Sequence, residues 1–347
     1  MSGPLYVPVL PAKPHARQAY RQLSPAVQAA VVPLWNLPTR TGSHPDVLAT
    51  DIRQDIREVS RVQRHHPAWV DAPFADEAQL SVLADVLSAD AEASSLRPVT
   101  GPERSEGHQA AALEHARSTG NGLAIRVMMP GEWDDGVAHG LRDLVARVDP
   151  AVEADLLLDL GAVRADRPDA AKESLRALDA LMPLMPWRTA AVLVGGFPDV
   201  TARLLEHGTA VEPRWDWLAW RELTSTREFV RRLAYGDYGI DSTRGIARGP
   251  SSGNGGPPWG VLRYTIDESF VLKKVPTRGD DRAAAIRAAA REVLALPDFR
   301  GATAGAGEAW LRDCARGQGS RGTGNAAVWL QAGNAQHMTY VVRSLQP

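Results

Sequence analysis

The chain has 347 residues, 44% of them hydrophobic, with 39 Lys and Arg against 41 Asp and Glu, a formal net charge of -2 and one cysteine. That length accommodates an α/β barrel of ~250 residues with an appendix, and the near-neutral balance excludes a global field for nucleic acid or anionic membranes, leaving only local basic patches. Cys314 alone forms neither an internal disulfide nor a cysteine zinc cage, and no apolar run approaches the ~18 residues of a membrane span, so a cytoplasmic protein is expected.

Eight short apolar runs follow in order: Tyr6 to Leu10, Val31 to Asn36, Ala68 to Asp71, Leu96 to Thr100, Leu123 to Met128, Asp155 to Leu160, Thr189 to Val194 and Trp215 to Trp220. They are dense in Val, Leu, Ile and Trp rather than strictly alternating, as strands covered on both faces should be. Segments with helical periodicity separate them: Pro45 to Arg64, Asp76 to Leu87, His108 to Arg117, Val137 to Val148, Ala170 to Leu181 and Val200 to Glu206. Several start after Asp, Ser or Pro, residues that cap or dispense with the free amides of a first turn. Strands alternating with helices in eight units predict an α/β fold, a (β/α)8 TIM-like barrel over residues 1–235.

From Tyr235 the texture changes, and residues 236–347 read as a C-terminal α+β extension packing on the barrel mouth. Arg244 to Pro258 is rich in Gly, Ser and Pro and reads as a mobile loop. Gly260 to Thr265 and Ser269 to Val275 flank Ile266-Asp-Glu as a β-hairpin. Helices are expected over Asp281 to Leu296, Glu308 to Arg316 and Asn325 to Leu345.

In a barrel of this type the working groups come from the carboxyl ends of the strands, because those ends converge on one rim. That rule nominates Lys13, Asn36, Asp71, Thr100, Arg126, Asp159, the Gly195-Gly196 pair and Arg221 with Glu222. Asp237, Tyr238, Asp241, Arg263 and Tyr264 are expected to fold over the same mouth. Asp71 and Asp159 are carboxylates in apolar strand sequence, where an unpaired charge is costly. Either they form salt bridges or caps, or they act as general acid and base or hold a divalent cation with water. No His-x-His or His-Glu-x-x-His spacing accompanies them, so no metal or cofactor is assigned.

Arg126, in the middle of a strand, needs an anionic partner. Asp159 on the following strand can serve as an internal ion pair; the alternative is a ligand carboxylate or phosphate, which suits a planar guanidinium. Gly195-Gly196 can cradle an anion or simply make a tight turn. Trp215-Asp-Trp-Leu-Ala-Trp reads as alternating strand packing, with Trp220 and Arg221 as a candidate stacking platform. His65-His66 read as surface residues, and His337 sits on the terminal helix.

Several strings together resemble the beta protein family, uncharacterised proteins of bacteriophages and bacterial genomes. They are Tyr6-Val-Pro-Val-Leu with Lys13, Val32-Pro-Leu-Trp-Asn-Leu-Pro, Leu156-Leu-Leu-Asp-Leu-Gly, Arg214-Trp-Asp-Trp-Leu-Ala-Trp, Asp237-Tyr-Gly, Leu262-Arg-Tyr-Thr and Asn325-Ala-Ala-Val-Trp with His337. Members tend to carry an acidic residue where Asn36 stands and a His-His pair where Gln336-His337 stands. The resemblance implies a common mouth and a phage or defence context, and no reaction.

The functional expectation is a polar pocket at the strand ends for an anionic or nucleotide-like ligand, with phosphate-directed hydrolysis as the suited chemistry. Asp71, Asp159 and Asp237 would be its carboxylates, and Lys13, Arg126, Arg221, Tyr238, Arg263, Tyr264 and His337 would contact the ligand. The rival is a non-enzymatic scaffold that binds a protein partner in phage development or anti-phage defence. Carboxylates and arginines converging in a cleft favour the first; mutual neutralisation favours the second.

Overall fold

Eight parallel strands close into a barrel whose last strand is hydrogen-bonded to its first. The structure is a computed structural model that describes residues 3–40, 43–64, 66–89, 96–226, 233–247, 257–320 and 322–346. The barrel strands are β1 (Tyr6–Pro11), β2 (Leu34–Asn36), β3 (Ala68–Asp71), β4 (Leu96–Thr100), β5 (Leu123–Met128), β6 (Ala154–Ala162), β7 (Thr189–Gly195) and, after the outlying β8 (Thr209–Pro213), β9 (Ala234–Asp237). Between them run α1 (Pro14–Arg21), α2 (Pro25–Ala29), α3 (Pro45–Gln63), α4 (Glu77–Ala89), α5 (Glu106–Thr119), α6 (Asp135–Val145), α7 (Ala170–Leu181) and α8 (Trp215–Thr226). The (β/α)8 expectation therefore holds.

Strand alternation sorts the barrel's side chains into two cores. Val7, Val9, Leu34, Trp69, Val99, Ala124, Leu157, Ala191, Leu193 and Ala234 pack together inside. Tyr6, Leu10, Val70, Ile125, Leu156, Leu158, Val192 and Tyr235 face the helix layer. Because both faces are dry, these strands show no polar alternation. At the amino-terminal end of the barrel, Asp155 accepts a hydrogen bond from the Trp69 indole at 2.8 Å and pairs with Arg188 and Arg97.

The eighth barrel strand differs from expectation. Trp215 to Trp220 is helical, and Trp217, Trp220 and Leu223 are buried at three-residue spacing, one face of a helix. The rings of Trp217 and Trp220 lie edge-on to Tyr235 at 5.5 and 5.4 Å. A short aromatic run fits periods of 2 and 3.6 equally, and here the packing surface decides. The true closing strand is the short Ala-Tyr-Gly-Asp of β9. A Cβ on Gly236 would lie 2.3 Å from Leu193 Cδ2 and 2.8 Å from the Val7 carbonyl, so closure requires a residue without one.

Smaller differences follow. Val31 to Pro33 precedes β2 and contributes a bridge from Val31 to Tyr6 and the Pro33 carbonyl that accepts from the Trp69 amide. Val200 to Glu206 forms turns rather than a helix, after Pro198-Asp199 and before Gly208. The expected boundary at residue 235 falls within β9, whose pairing to β1 and β7 runs through Asp237.

Beyond the barrel come α9 (Thr243–Ala247), β10 (Trp259–Thr265), β11 (Ser269–Pro276), α10 (Arg282–Leu294), α11 (Ala306–Arg316) and α12 (Ala326–Leu345). The expected hairpin is present, and β8 joins it to make an antiparallel sheet in the order β10-β11-β8. Of the expected mobile loop, Arg244 to Ala247 lies in α9 and residues 248–256 lie outside the described residues. Cys314 is buried in the small core formed by α10, α11 and the sheet, and burial pushes its thiol up to about 11. Among the described residues no helix is long and apolar enough to cross a membrane.

Gly236→Ala overpacks the barrel interior against backbone and should destabilise the protein by about 1–3 kcal/mol. Urea unfolding measures this; a midpoint equal to that of the parent would contradict the close approach.

Candidate functional site

At the carboxyl end of the barrel the interior turns from apolar to charged around Arg126. Its side chain points inward from β5 and is buried. The Nε and Nη2 groups both donate to Asp159 Oδ2, at 2.8 and 2.5 Å. The Nη1 group donates to Asp71 Oδ2 at 2.6 Å and to Asn36 Oδ1 at 3.3 Å, and Nη2 donates to the Tyr238 hydroxyl at 2.9 Å. A guanidinium has five N–H donors, and here five bonds use all of them. Tyr238 in turn donates to Asp159 Oδ2 at 2.6 Å, and the Gly161 amide donates to Asp159 Oδ1 at 2.8 Å.

Asp71 also receives Arg104 Nη2 at 3.3 Å. Burial would raise the Asp71 carboxyl, but Arg104 and Arg126 outweigh it and hold the group below the usual carboxylate range. Burial would likewise lower the Arg126 pKa, yet Tyr238, Asp159 and Asp71 hold it well above the ordinary value. Asp71 and Asp159 are thus brought together as expected, and between them they neutralise Arg126 and Arg104. No N–H of Arg126 is left for a ligand.

Asp237 lies elsewhere. Its neighbours Gly236 and Tyr238 face the barrel interior, so Asp237 faces outward with Tyr6 and Tyr235, toward α8 and α12. Tyr6 donates to Asp237 Oδ1 at 2.5 Å, the Gly239 amide donates to the same oxygen at 2.9 Å, and Tyr235 reaches Oδ2 at 2.9 Å. His337 Nε2 lies 2.9 Å from Oδ2, and its Nδ1 lies 2.8 Å from the Thr265 hydroxyl. A carboxylate only accepts, so Nε2 carries a proton and donates to Asp237.

Hydroxyl, imidazole and carboxylate stand in the order of a hydrolytic triad, but all three are at most 1% exposed and no substrate reaches them. Arg214 and Asp216 complete this network. Asp216 Oδ2 lies 2.5 Å from the Tyr235 hydroxyl and 3.3 Å from Arg214 Nη2. Burial would raise the Asp237 carboxyl, but His337, Tyr6 and Arg214 hold it at about 2, against an ordinary 3.8.

Above the Arg126 floor, three rim segments and the extension meet. Lys13 and His15 follow β1, Asp241 follows β9, and Phe197 follows β7. Arg263 comes from β10 and lies over the Phe197 ring at 5.6 Å. Its Nη1 makes a long 3.4 Å bond to the Val261 carbonyl, and among the described residues its buried Nε has no partner. The buried Nε2 of His15 is also unpartnered. Burial lowers the His15 pKa despite nearby Asp241, with Lys13 and Arg263 acting in the same downward direction. Burial also lowers Arg263, with Asp241 as its opposing charge.

The remaining expected site residues fall outside this mouth. Arg221 is exposed on α8 and pairs with Glu268, because its segment is helix rather than strand. Trp220 is buried against Tyr235 and offers no stacking platform. Tyr264 faces the extension's own core, beside Phe299, and accepts from the Arg300 amide at 3.3 Å. Thr100 lies 3.4 Å from His108 Nδ1. Gly195-Gly196 is a packing requirement: a Cβ on Gly196 would lie 1.8 Å from Asp216 Oδ1. His65 lies outside the described residues. Among the described residues no group of three His, Cys, Asp or Glu side chains could hold a metal.

Sequence reasoning missed His15, Arg104 and the Tyr6, Arg214, Asp216, Tyr235 set. His15 had a usable signal, since it lies two residues beyond Lys13 on the first rim segment. The others had none, because the contacts that gather them run mostly between separate elements.

The family model described as Beta protein matches residues 6–343. No curated protein matches the chain significantly. Among solved structures, the crystal structure of apo 3-keto-D-glucoside 4-epimerase, YcjR, from E. coli is similar at 12% identity and a TM-score of 0.35, covering 72% of this chain and 94% of that one. So distant a likeness carries no argument about chemistry.

Two outcomes test the geometry. Arg126→Ala leaves Asp71 and Asp159 buried without their shared partner and should cost about 3–5 kcal/mol in urea unfolding; a loss below 1 kcal/mol would contradict a saturated buried centre. Because folding lowers the Asp237 pKa, its contribution is present above about pH 4 and fades as the pH falls toward 2, on the order of 2 kcal/mol in all. The stability difference between parent and Asp237→Asn should therefore shrink across that interval, and parallel pH profiles would refute the assignment.

Proposed function

This chain belongs to the Beta protein family, and from that premise and the mouth geometry we propose that it binds a small anionic, nucleotide-like ligand above the Arg126 floor. One observation carries this reading. Arg263, whose charge acts on His15, has a buried Nε that no described residue satisfies, and the buried His15 Nε2 is equally unsatisfied. Buried polar atoms without partners are uncommon and each requires an explanation, and an anion's oxygens would supply the missing acceptors. Lys13 on the same rim adds positive charge. The floor beneath is electrically balanced, so the ligand's charge would be met from the rim.

Phosphate-directed hydrolysis is a second reading, favoured by the nearness of Asp241 to His15. Burial keeps the imidazole neutral at neutral pH, able to take a proton, while Asp241 would stabilise its charged form. Asp71 and Asp159 are poorly suited to acid–base work while Arg126 holds both. That neutralisation favours binding over catalysis, and a scaffold role in phage development or anti-phage defence would use the same mouth.

Calorimetry with AMP and with inorganic phosphate tests the binding reading. The parent should bind AMP, and Arg263→Gln should weaken binding about 10- to 100-fold by removing a charge-assisted hydrogen bond worth about 1.5–3 kcal/mol. Equal affinity in parent and variant, or no binding of either anion by the parent, would overturn it.

A further inference from the structure

We propose that the outward face of α3 is a docking ridge for the sugar-phosphate backbone of a nucleic-acid strand, a surface separate from the mouth. The helix buries Leu48, Ile52, Ile56, Val59 and Val62 against the barrel. The same periodicity leaves Arg53, Arg57 and Arg61 exposed at four-residue intervals, with exposed Arg64 just past the helix end. A rise of 1.5 Å per residue places successive guanidinium groups about 6 Å apart along the axis. That interval is comparable with the separation of phosphates along one strand. Arg53, Arg57 and Arg61 share the open outward face of α3 with Thr50, Gln54 and Glu58.

The neighbouring carboxylates offset only part of this charge. Arg40 holds both Asp51 and Asp55 at 2.5 Å, and Arg61 holds Glu58 at 2.6 Å. Arg53, Arg57 and Arg64 make no ion pair or hydrogen bond with another described residue. Arg17 and Arg21 of α1 add positive charge beside the ridge. Arg64 itself has a φ of 46°, the left-handed region that favours glycine, and so sets a cation at the end of the line at some conformational cost.

A chain with net charge -2 attracts a polyanion only through such a local patch. An anionic membrane would call for apolar side chains among the cations. No large apolar side chain lies among Arg53, Arg57 and Arg61; Val47 is exposed about one turn before Thr50 on the same helix, and Leu5, Phe74 and Val211 lie on other segments. The ridge also lacks an aromatic side chain on which a base could stack. The contact is therefore to backbone and independent of base sequence.

The test is fluorescence anisotropy of a fluorescein-labelled single-stranded DNA oligonucleotide with the full chain across a series of NaCl concentrations. Three phosphate contacts predict a log–log salt slope of about -2, from about 0.7 per contact. R53Q/R57Q/R61Q should bind at least about tenfold more weakly with a clearly shallower slope, at an unchanged melting temperature because the three side chains are exposed. R278Q, at an exposed turn beyond β11, should bind as the parent does. No binding by the parent at low salt, binding that survives the triple substitution, or binding to phosphatidylserine–phosphatidylcholine vesicles but not to DNA would each overturn the proposal.

Discussion

A guanidinium buried inside a closed barrel must find an acceptor for every N–H, and the upper half of this molecule is organised around that requirement. Arg126 leaves β5 and reaches Asn36 on β2, Asp71 on β3, Asp159 on β6 and Tyr238 beyond β9. Burying a charge among apolar side chains is expensive unless it is paired and hydrogen-bonded. Here the pairing crosses the barrel, so partners up to 112 positions from Arg126 in sequence are tied to one atom group. The apolar interior below supplies the burial that makes those bonds strong, and the bonds make the charged layer compatible with a dry interior.

A second tie joins the extension to the barrel. Gln336 bonds both the amide and the carbonyl of Thr265, at 2.9 and 2.8 Å, while the adjacent His337 bridges Thr265 and Asp237. One turn of α12 is thereby fixed to β10 and to the closing strand at once. Arg263 lies two residues before Thr265 on that same strand, so the tie also governs where its guanidinium meets the rim. The extension thus shapes the mouth although most of its own core packs elsewhere.

Charge is divided by depth. The floor pairs two aspartates with two arginines, whereas the rim leaves Arg263 and His15 with unmet hydrogen-bonding capacity. The arginines on α3 differ from both, being exposed, repeated at one helical interval and independent of the barrel interior. A composition near electrical balance conceals all three arrangements, since net charge sums over positions that fold into different surroundings.

Local pattern was enough to read the alternation of strands and helices, seven of the eight barrel strands, the hairpin and the terminal helices, because burial on one or both faces imprints a period on the sequence. The strand-end rule also placed Asp71, Asp159 and Arg126 in one layer correctly. Local pattern failed at Trp215 to Trp220, whose packing against Tyr235 selects a helix, and at Ala234 to Asp237, a strand too short and too glycine-dependent to stand out. Whether Asp237 faces the interior or the helix layer, and which arginine keeps a spare N–H, were decided only by tertiary structure. The physical reason is that hydrogen bonds and ion pairs between residues far apart in the chain depend on where their backbones meet, and residue type alone carries no record of that meeting.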